Sequence, residues 1–188
     1  MKFLQRLEFT SDLELAQTTA QQIVDGAGGW HTIGNQVGLI RRTQQPENIW
    51  TEGVGSLRDT DLVERDFQLW NLPPDNYLRQ EIERLKAHLN IETGRIRIMR
   101  LESHRGLSIH KDKELRYHLV LKTNPRAHFG LWVGPDNLTM NNYSDEELFG
   151  INYHLPANGY WYQVDTTQGH WVYNGGPEER IHLVVCGV

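Results

Sequence analysis

The chain has 188 residues, of which 38% are hydrophobic and 23% charged, and its formal net charge at pH 7 is -5. This composition belongs to an ordinary folded protein with a sizeable core and excludes a disordered chain. The acidic balance and the lack of a basic cluster argue against nucleic acid or an anionic membrane as a partner. No linker-like segment divides the sequence, so a single domain is expected over residues 1–188.

The cysteine content and the apolar runs predict a cytoplasmic protein. A single cysteine, Cys186, excludes an intramolecular disulfide and a thiolate metal cluster, and it fits a reducing compartment. No segment approaches the ~20 apolar residues that span a bilayer, and the first residues lack the apolar run of a signal peptide.

Two helices are predicted in the first half of the chain. Residues 11–29 begin with Ser11 and Glu14 at the spacing of a capping box, and apolar residues then recur at helical intervals until glycines end the helix. Residues 73–89 carry a second apolar stripe. That stripe consists of Leu78, Ile82, Leu85 and Leu89. Residues 1–90 are therefore expected to form a helical elaboration.

Short strands dominate the second half, residues 91–188. β-Branched and aromatic residues recur in short runs that are bounded by Gly, Asn, Pro or Asp. The runs are GRIRIMRLES, RYHLVLKTN, HFGLWVG, GYWYQVD, HWVYNGG and ERIHLVVCG. Helices followed by many short strands predict a mainly β fold, a sandwich or barrel that carries N-terminal helices.

A candidate metal site lies in SIHKDKELRYHLVL, residues 108–121. In an extended segment His110 and Asp112 point to the same face. An imidazole and a carboxylate suit a borderline-to-hard divalent ion, and one more histidine completes the ligand set typical of non-haem Fe(II) oxygenases. His170 is the best candidate for that third ligand, because it opens a strand after a polar turn. These three residues form the predicted catalytic centre.

A second pattern occurs in two strands, RYHLVL and RIHLVV. Arg116 shares a face with His118 in the first strand, and Arg180 shares a face with His182 in the second. Guanidinium groups bind carboxylates in a bidentate manner. A pocket between these strands, lined by both Arg–His pairs, is therefore predicted to bind an organic diacid.

These motifs resemble the aspartyl/asparaginyl β-hydroxylase branch of the Fe(II)- and 2-oxoglutarate-dependent dioxygenases. The resemblance runs through LSIHKDKELRYHLVL and GYWYQVDTTQGHWVYNGGPEERIHLVV, within residues 95–188. It implies a double-stranded β-helix, which is a two-sheet barrel of the cupin or jelly-roll type. It also implies that the protein uses Fe(II), 2-oxoglutarate and O2.

The resemblance also implies roles for individual residues. His110 and His170 would bind iron, and Arg180 would bind the far carboxylate of 2-oxoglutarate. Arg116 and His118 would face the other end of this cosubstrate. Membrane-bound animal members carry a glycine where this chain has a carboxylate, so a full triad is expected here, as in the related proline hydroxylases.

The implied activity is hydroxylation of an unactivated C–H bond in an amino-acid side chain, with Asp or Asn in a peptide or protein as the substrate. The alternative is a free amino acid such as proline. Two other classes remain open, a cupin-type metal enzyme such as an isomerase or zinc hydrolase, and a non-catalytic module that binds a small acid. Arg116 and Arg180 argue against a hydrolase, which has no need of them, and the complete triad argues against a sensor.

Four residues near the predicted barrel are candidates for contact with the substrate. Arg126 and His128 lie where a loop enters a strand, and Trp132 and Trp171 supply aromatic surface. For each of them an exposed loop position or core packing is the alternative.

Overall fold

The computed structural model describes residues 2–30, 34–57, 60–133 and 150–188. Within these ranges the chain forms two helices, α1 (Leu13–Gly26) and α2 (Tyr77–Leu89). The strands are β1 (Leu4–Thr10), β2 (Gln36–Gly38), β3 (Ile40–Arg41), β4 (Leu69–Trp70), β5 (Thr93–Leu101), β6 (Arg105–His110), β7 (Arg116–Lys122), β8 (Ala127–Trp132), β9 (Gly150–Tyr153), β10 (Tyr160–Val164), β11 (His170–Asn174) and β12 (Arg180–Gly187).

Two antiparallel sheets make up the barrel. The large sheet has the order β1-β10-β7-β12-β5-β2, and the small sheet has the order β6-β11-β8-β9. From β5 onward the chain crosses between the two sheets at each step except from β8 to β9, which pair within the small sheet, as expected for a jelly roll. The prediction of a mainly β, double-stranded β-helix with helices is confirmed.

In the central strands β5, β7 and β12 of the large sheet, residues on both faces are buried. Because side chains alternate along a strand, Leu119 and Leu183 face the helices, whereas Val120 faces the small sheet. On the inner side Val120 packs with Phe129 and Val172 of the small sheet. The barrel interior is thus a separate layer from the core beneath α1 and α2.

Helix α1 begins one residue later than the capping box predicts. Asp12 Oδ1 accepts a hydrogen bond of 3.1 Å from the backbone N–H of Leu15, which makes Asp12 the N-cap. The Ser11 hydroxyl instead donates to Glu81 of α2 and accepts from Trp161 Nε1 at 2.9 Å. The capping-box prediction was wrong because Ser11 is used in tertiary contacts. The stripe predicted for α2 is confirmed, since Leu78, Ile82 and Leu85 are buried.

The first half of the chain is less purely helical than predicted. Strand β1 pairs with β10 at one edge of the large sheet, and β2 pairs with β5 at the other edge. A 3-10 turn at Glu64–Asp66 also approaches the start of β5. The first half therefore extends the barrel as well as covering it. No helix in the described ranges is long and apolar enough to cross a membrane.

Candidate metal centre

The three predicted metal ligands lie together at one end of the barrel. His110 ends β6 and His170 begins β11, and the two are direct partners in the antiparallel pairing. Asp112 follows β6, and its backbone N–H donates to Thr166 O at 2.8 Å. The nitrogen and oxygen atoms available as ligands all lie within 4.8 Å of one another.

Both imidazoles are oriented for metal binding. His110 Nδ1 lies 2.7 Å from Ser108 O, and His170 Nδ1 lies 3.0 Å from Gln168 O. A carbonyl oxygen can only accept, so each Nδ1 carries the proton and each Nε2 keeps its lone pair. A histidine that ligates a metal commonly holds its second nitrogen in this way. The donor set therefore fits a divalent transition metal such as Fe(II).

Burial keeps His170 neutral. Its side chain is almost fully buried, and this burial lowers its pKa to about 4, with a further contribution from the neighbouring His110. The ring stacks on Phe129 with 5.4 Å between the centroids. At neutral pH the imidazole is thus ready to bind a metal without first losing a proton.

Arg180 and two histidines form a second cluster deeper in the barrel. Arg180 Nη2 lies 3.1 Å from His182 Nδ1, which in turn lies 3.3 Å from His118 Nδ1. Since a guanidinium only donates, His182 Nδ1 accepts from Arg180, and His118 Nδ1 then donates to it. The Nε2 atoms of both histidines are buried and have no hydrogen-bond partner among the described residues.

This cluster is cationic and desolvated. Burial lowers the pKa of Arg180 to about 9, and burial together with the charge of Arg180 holds the pKa values of His118 and His182 well below 6.5. No carboxylate of the described residues lies within 4.0 Å of the Arg180 guanidinium. His118 packs edge-on against Phe129, on which His170 stacks. Side-chain contacts thus run without interruption from the triad to Arg180.

Arg116 is placed at the metal end and is separated from Arg180 along the sheet. It pairs across the strands with Cys186, six positions after Arg180 on β12, so about 20 Å of strand separates the two backbones. Arg116 Nε lies 3.4 Å from Asp112 Oδ2, and its Nη2 lies 3.1 Å from Glu64 Oε1. That Arg116 faces one end of 2-oxoglutarate stays a prediction.

Glu64 is a site residue that sequence reasoning missed. Its carboxylate accepts from Arg95 Nε at 2.9 Å and from Arg95 Nη2 at 2.8 Å, in addition to Arg116. The 3-10 turn reaches the barrel because residue 94 is glycine, where a Cβ would lie 2.6 Å from Glu64 Cβ. Burial alone would raise the pKa of Glu64, but the Arg95 hydrogen bonds and the charge of Arg116 outweigh it and lower the pKa to about 2.

Nothing local in the sequence marks Glu64, which stands in an irregular segment. Arg95 and Arg97 could have been noticed in the sequence, since they alternate with Ile96 and Ile98 in β5. Both faces of this strand are buried, and the arginines point into the barrel.

Three of the candidate substrate residues lie on the outer face of the small sheet. Trp171 follows His170 and so points away from the triad. Its ring lies across Gly130 and Gly150, where a Cβ would approach the ring to 1.9 Å and 2.0 Å. His128 and Trp132 line the same groove, which has a volume of about 630 Å³.

Arg126 is exposed in the turn before β8, where its backbone N–H donates to Asn124 Oδ1 at 3.0 Å. The structure therefore does not bring Arg126, His128, Trp132 and Trp171 together with the metal ligands. Their contact with substrate stays a prediction.

Known proteins resemble this chain in structure but not detectably in sequence. No family model and no curated protein matches the sequence. A 2OG-Fe(II) oxygenase family oxidoreductase from Burkholderia pseudomallei is similar, with 15% identity, a TM-score of 0.54 and coverage of 98% of this chain and 84% of that chain. A Pseudomonas putida prolyl-4-hydroxylase shows 10% identity, a TM-score of 0.55 and coverage of 98% and 92%.

A third solved structure is a prolyl hydroxylase from Trichoplax adhaerens in complex with a peptide fragment of the hypoxia inducible factor oxygen degradation domain. It is 11% identical, with a TM-score of 0.52, and the alignment covers 98% of this chain and 83% of that chain. The likeness extends over the whole chain, including the first half. This protein therefore has the double-stranded β-helix fold of the 2-oxoglutarate- and Fe(II)-dependent oxygenases.

Proposed function

We propose that the protein is an Fe(II)- and 2-oxoglutarate-dependent dioxygenase that hydroxylates a C–H bond of an amino-acid side chain. One observation carries the proposal. The His110–Asp112–His170 triad opens onto a barrel interior in which Arg180 has no carboxylate partner among the described residues.

The triad residues would hold the iron. His110 and His170 offer Nε2, and Asp112 offers a carboxylate oxygen. When bound, iron, 2-oxoglutarate and O2 supply the oxidative chemistry, which yields succinate, CO2 and a hydroxylated product. Phe129 excludes water beside His170, since its ring stacks on the imidazole.

Arg180 would hold the distal carboxylate of 2-oxoglutarate. A guanidinium presents donors in a fork that matches a carboxylate, and the pairing is strongest where water is excluded. His182 accepts from Arg180 Nη2 at 3.1 Å and so steadies the guanidinium. His118 supports His182 from the neighbouring strand. A zinc hydrolase would leave this buried cation without a function.

The substrate of the proposed reaction is an Asp or Asn residue in a peptide or protein, and a free amino acid such as proline is the alternative. Two observations support an amino-acid substrate. The similar solved structures include one described as a prolyl-4-hydroxylase and one that holds a peptide fragment. The aspartyl/asparaginyl preference itself rests on the motif resemblance.

The test is an anaerobic titration of the purified apo-protein with Fe(II) and then 2-oxoglutarate, followed through the weak visible charge-transfer band of a chelated keto acid. The band is expected for the wild type and for the control His88→Ala, which changes an exposed histidine of α2. It is expected to be absent in His170→Ala. Bound iron without the band in the wild type would refute the oxygenase and leave a zinc hydrolase or cupin-type enzyme.

A further inference from the structure

Four arginine side chains on the inner face of the large sheet are buried, and their partners divide them into two pairs. These residues are Arg95, Arg97, Arg116 and Arg180. Arg95 and Arg116 share the carboxylate of Glu64, with Nη2 of each lying 2.8 Å and 3.1 Å from Glu64 Oε1. Among the described residues no carboxylate lies within 4.0 Å of the other two, Arg97 and Arg180.

The contacts of Arg97 are weak for a buried cation. The residue is 6% exposed, and its Nη1 lies 3.3 Å from Gln36 Oε1 and 3.4 Å from Gly55 O. Both acceptors are neutral, and Nε has no hydrogen-bond partner among the described residues. Buried charged groups are normally paired, because an unpaired charge is costly to desolvate. The geometry thus leaves Arg97 ready for an anion.

Arg97 faces the same interior as the candidate active site. Val184 on β12 pairs with Arg97 on one side and with His118 on the other, so all three side chains share one face. Two strand spacings, about 10 Å, separate the backbones of Arg97 and His118. Burial and the charges of Arg95 and Arg116 together lower the pKa of Arg97 to about 9, although the charge of Glu64 acts in the opposite direction. A bound anion would offset the effects that lower this pKa.

The cosubstrate does not satisfy this cation. In the proposed function 2-oxoglutarate has one carboxylate at Arg180 and the other at the metal. Neither is then left for Arg97, and the prime substrate is the other organic molecule in the site that can supply an anion.

We propose that Arg97 binds a carboxylate of the prime substrate, so that the enzyme acts on an acid in preference to the corresponding amide. This inference rests on the proposed function and narrows its substrate class. The carboxylate has two possible sources, the side chain of an aspartate within a peptide and the α-carboxylate of a free amino acid. Both present the same chemistry to the guanidinium.

The experiment compares matched acids and amides on the Fe(II)- and 2-oxoglutarate-loaded protein. The probes are the common free L-amino acids with their α-amides, and end-blocked Ala-Ala-Asp-Ala-Ala with its Asn counterpart. Binding is read from the change in the charge-transfer band, and turnover is read from succinate release. We expect one acid to change the band and its amide to bind about tenfold or more weakly, as the loss of a charge-assisted hydrogen bond implies. The probe that responds identifies the source.

The variants separate substrate binding from cosubstrate binding. Arg97→Gln should abolish the preference for the acid and leave the affinity for 2-oxoglutarate unchanged, and Arg97→Lys should keep part of the preference. Arg100→Gln is the matched control, because Arg100 lies on the same strand and faces the other side of the sheet. If Arg97→Gln does not fold, the same acids and amides are compared on the wild type and on Arg97→Lys. A weaker preference for the acid in Arg97→Lys than in the wild type then supports the inference.

Four results would overturn the inference while leaving the proposed function intact. The first is a charge-transfer band that forms with 2-oxoglutarate but responds to no acid. The second is equal binding of acid and amide by the wild type, and the third is an unchanged preference in Arg97→Gln. The fourth is weakened binding of 2-oxoglutarate in Arg97→Gln, which would make Arg97 a cosubstrate ligand. A wild type that forms no band refutes the proposed function itself.

Discussion

Arg116 Nε lies 3.4 Å from Asp112 Oδ2, while Nη2 of the same guanidinium lies 3.1 Å from Glu64 Oε1. One arginine therefore links a proposed metal ligand to a carboxylate from the first half of the chain. Glu64 is held in turn by Arg95 of β5. Arg116 is thus placed to position Asp112, and through it the first half of the chain contacts the proposed metal centre.

Arg116→Gln is expected to weaken Fe(II) binding. The change frees the Asp112 carboxylate and leaves Glu64 with Arg95 alone, and loss of such an outer partner typically costs about 10- to 100-fold in metal affinity. The measurement is a direct Fe(II) titration of the folded apo-protein. Arg116→Lys should retain part of the affinity, and Lys122→Gln, at the exposed end of the same strand, should retain all of it. Unchanged affinity in a folded Arg116→Gln protein would contradict the positioning role.

Glu64→Gln is expected to destabilise the protein in a pH-dependent way. The folded-state pKa of Glu64 is about 2, against 4.5 for the free group, so its contribution is fully present above pH 4.5 and is lost as the pH falls towards 2. This lowering corresponds to about 3 kcal/mol of unfolding free energy. Urea unfolding of both proteins between pH 7 and pH 2 measures the difference, which should shrink below pH 4.5. A difference that does not depend on pH would refute this electrostatic account.

Stability should also fall as the pH drops below 6.5, and His118 and His182 contribute to this loss in addition to His170. Burial, together with the charge of Arg180, holds the pKa values of His118 and His182 well below 6.5 in the folded state. Below pH 6.5 these imidazoles become protonated in the unfolded chain but stay neutral in the folded chain. The free energy of unfolding therefore falls by up to about 1.4 kcal/mol per pH unit for each imidazole. The slope of the unfolding free energy between pH 6.5 and pH 5 should decrease in His118→Gln. His88→Gln, at an exposed site, is the matched control.

Arg180→Gln is expected to weaken binding of 2-oxoglutarate while the affinity for Fe(II) stays near the wild-type value. Truncating one partner of a buried charge pair costs about 2–5 kcal/mol, which is roughly 30-fold or more in the dissociation constant. The keto-acid titration measures one affinity, and a metal titration measures the other. Arg126→Gln serves as a control at an exposed arginine outside the barrel interior. Wild-type affinity for 2-oxoglutarate in Arg180→Gln would show that Arg180 does not bind the cosubstrate.

Gly130→Ala is expected to destabilise the small sheet, since the added Cβ would lie 1.9 Å from Trp171 Cε2. Removing the indole in the double variant Gly130→Ala/Trp171→Ala should recover part of the loss, and the coupling is measured in a double-mutant cycle of urea unfolding. Trp171→Ala alone should leave Fe(II) and 2-oxoglutarate binding unchanged, because the ring lies on the outer face. Loss of either affinity in Trp171→Ala would show that the groove and the barrel interior are coupled.

Sequence alone determined the features that depend on local spacing. Strand alternation predicted that His110 and Asp112 lie close together, and the polar turn before β11 predicted that His170 joins them, as the structure shows. The apolar stripe of α2 and most strands of the barrel followed from the same periodicities. These patterns repeat within a few residues, so they can be read without knowing what packs against them.

Only the tertiary structure decided which partner each polar side chain meets. Arg97 alternates with isoleucines in β5, and the sequence does not say that both faces of this strand are buried. Glu64 reaches the barrel through the close approach to Gly94, and Ser11 bonds to α2 instead of capping α1. Trp171 faces away from the triad because it is one residue out of phase with His170. Each of these outcomes depends on contacts between distant segments, and no local period of the chain encodes such contacts.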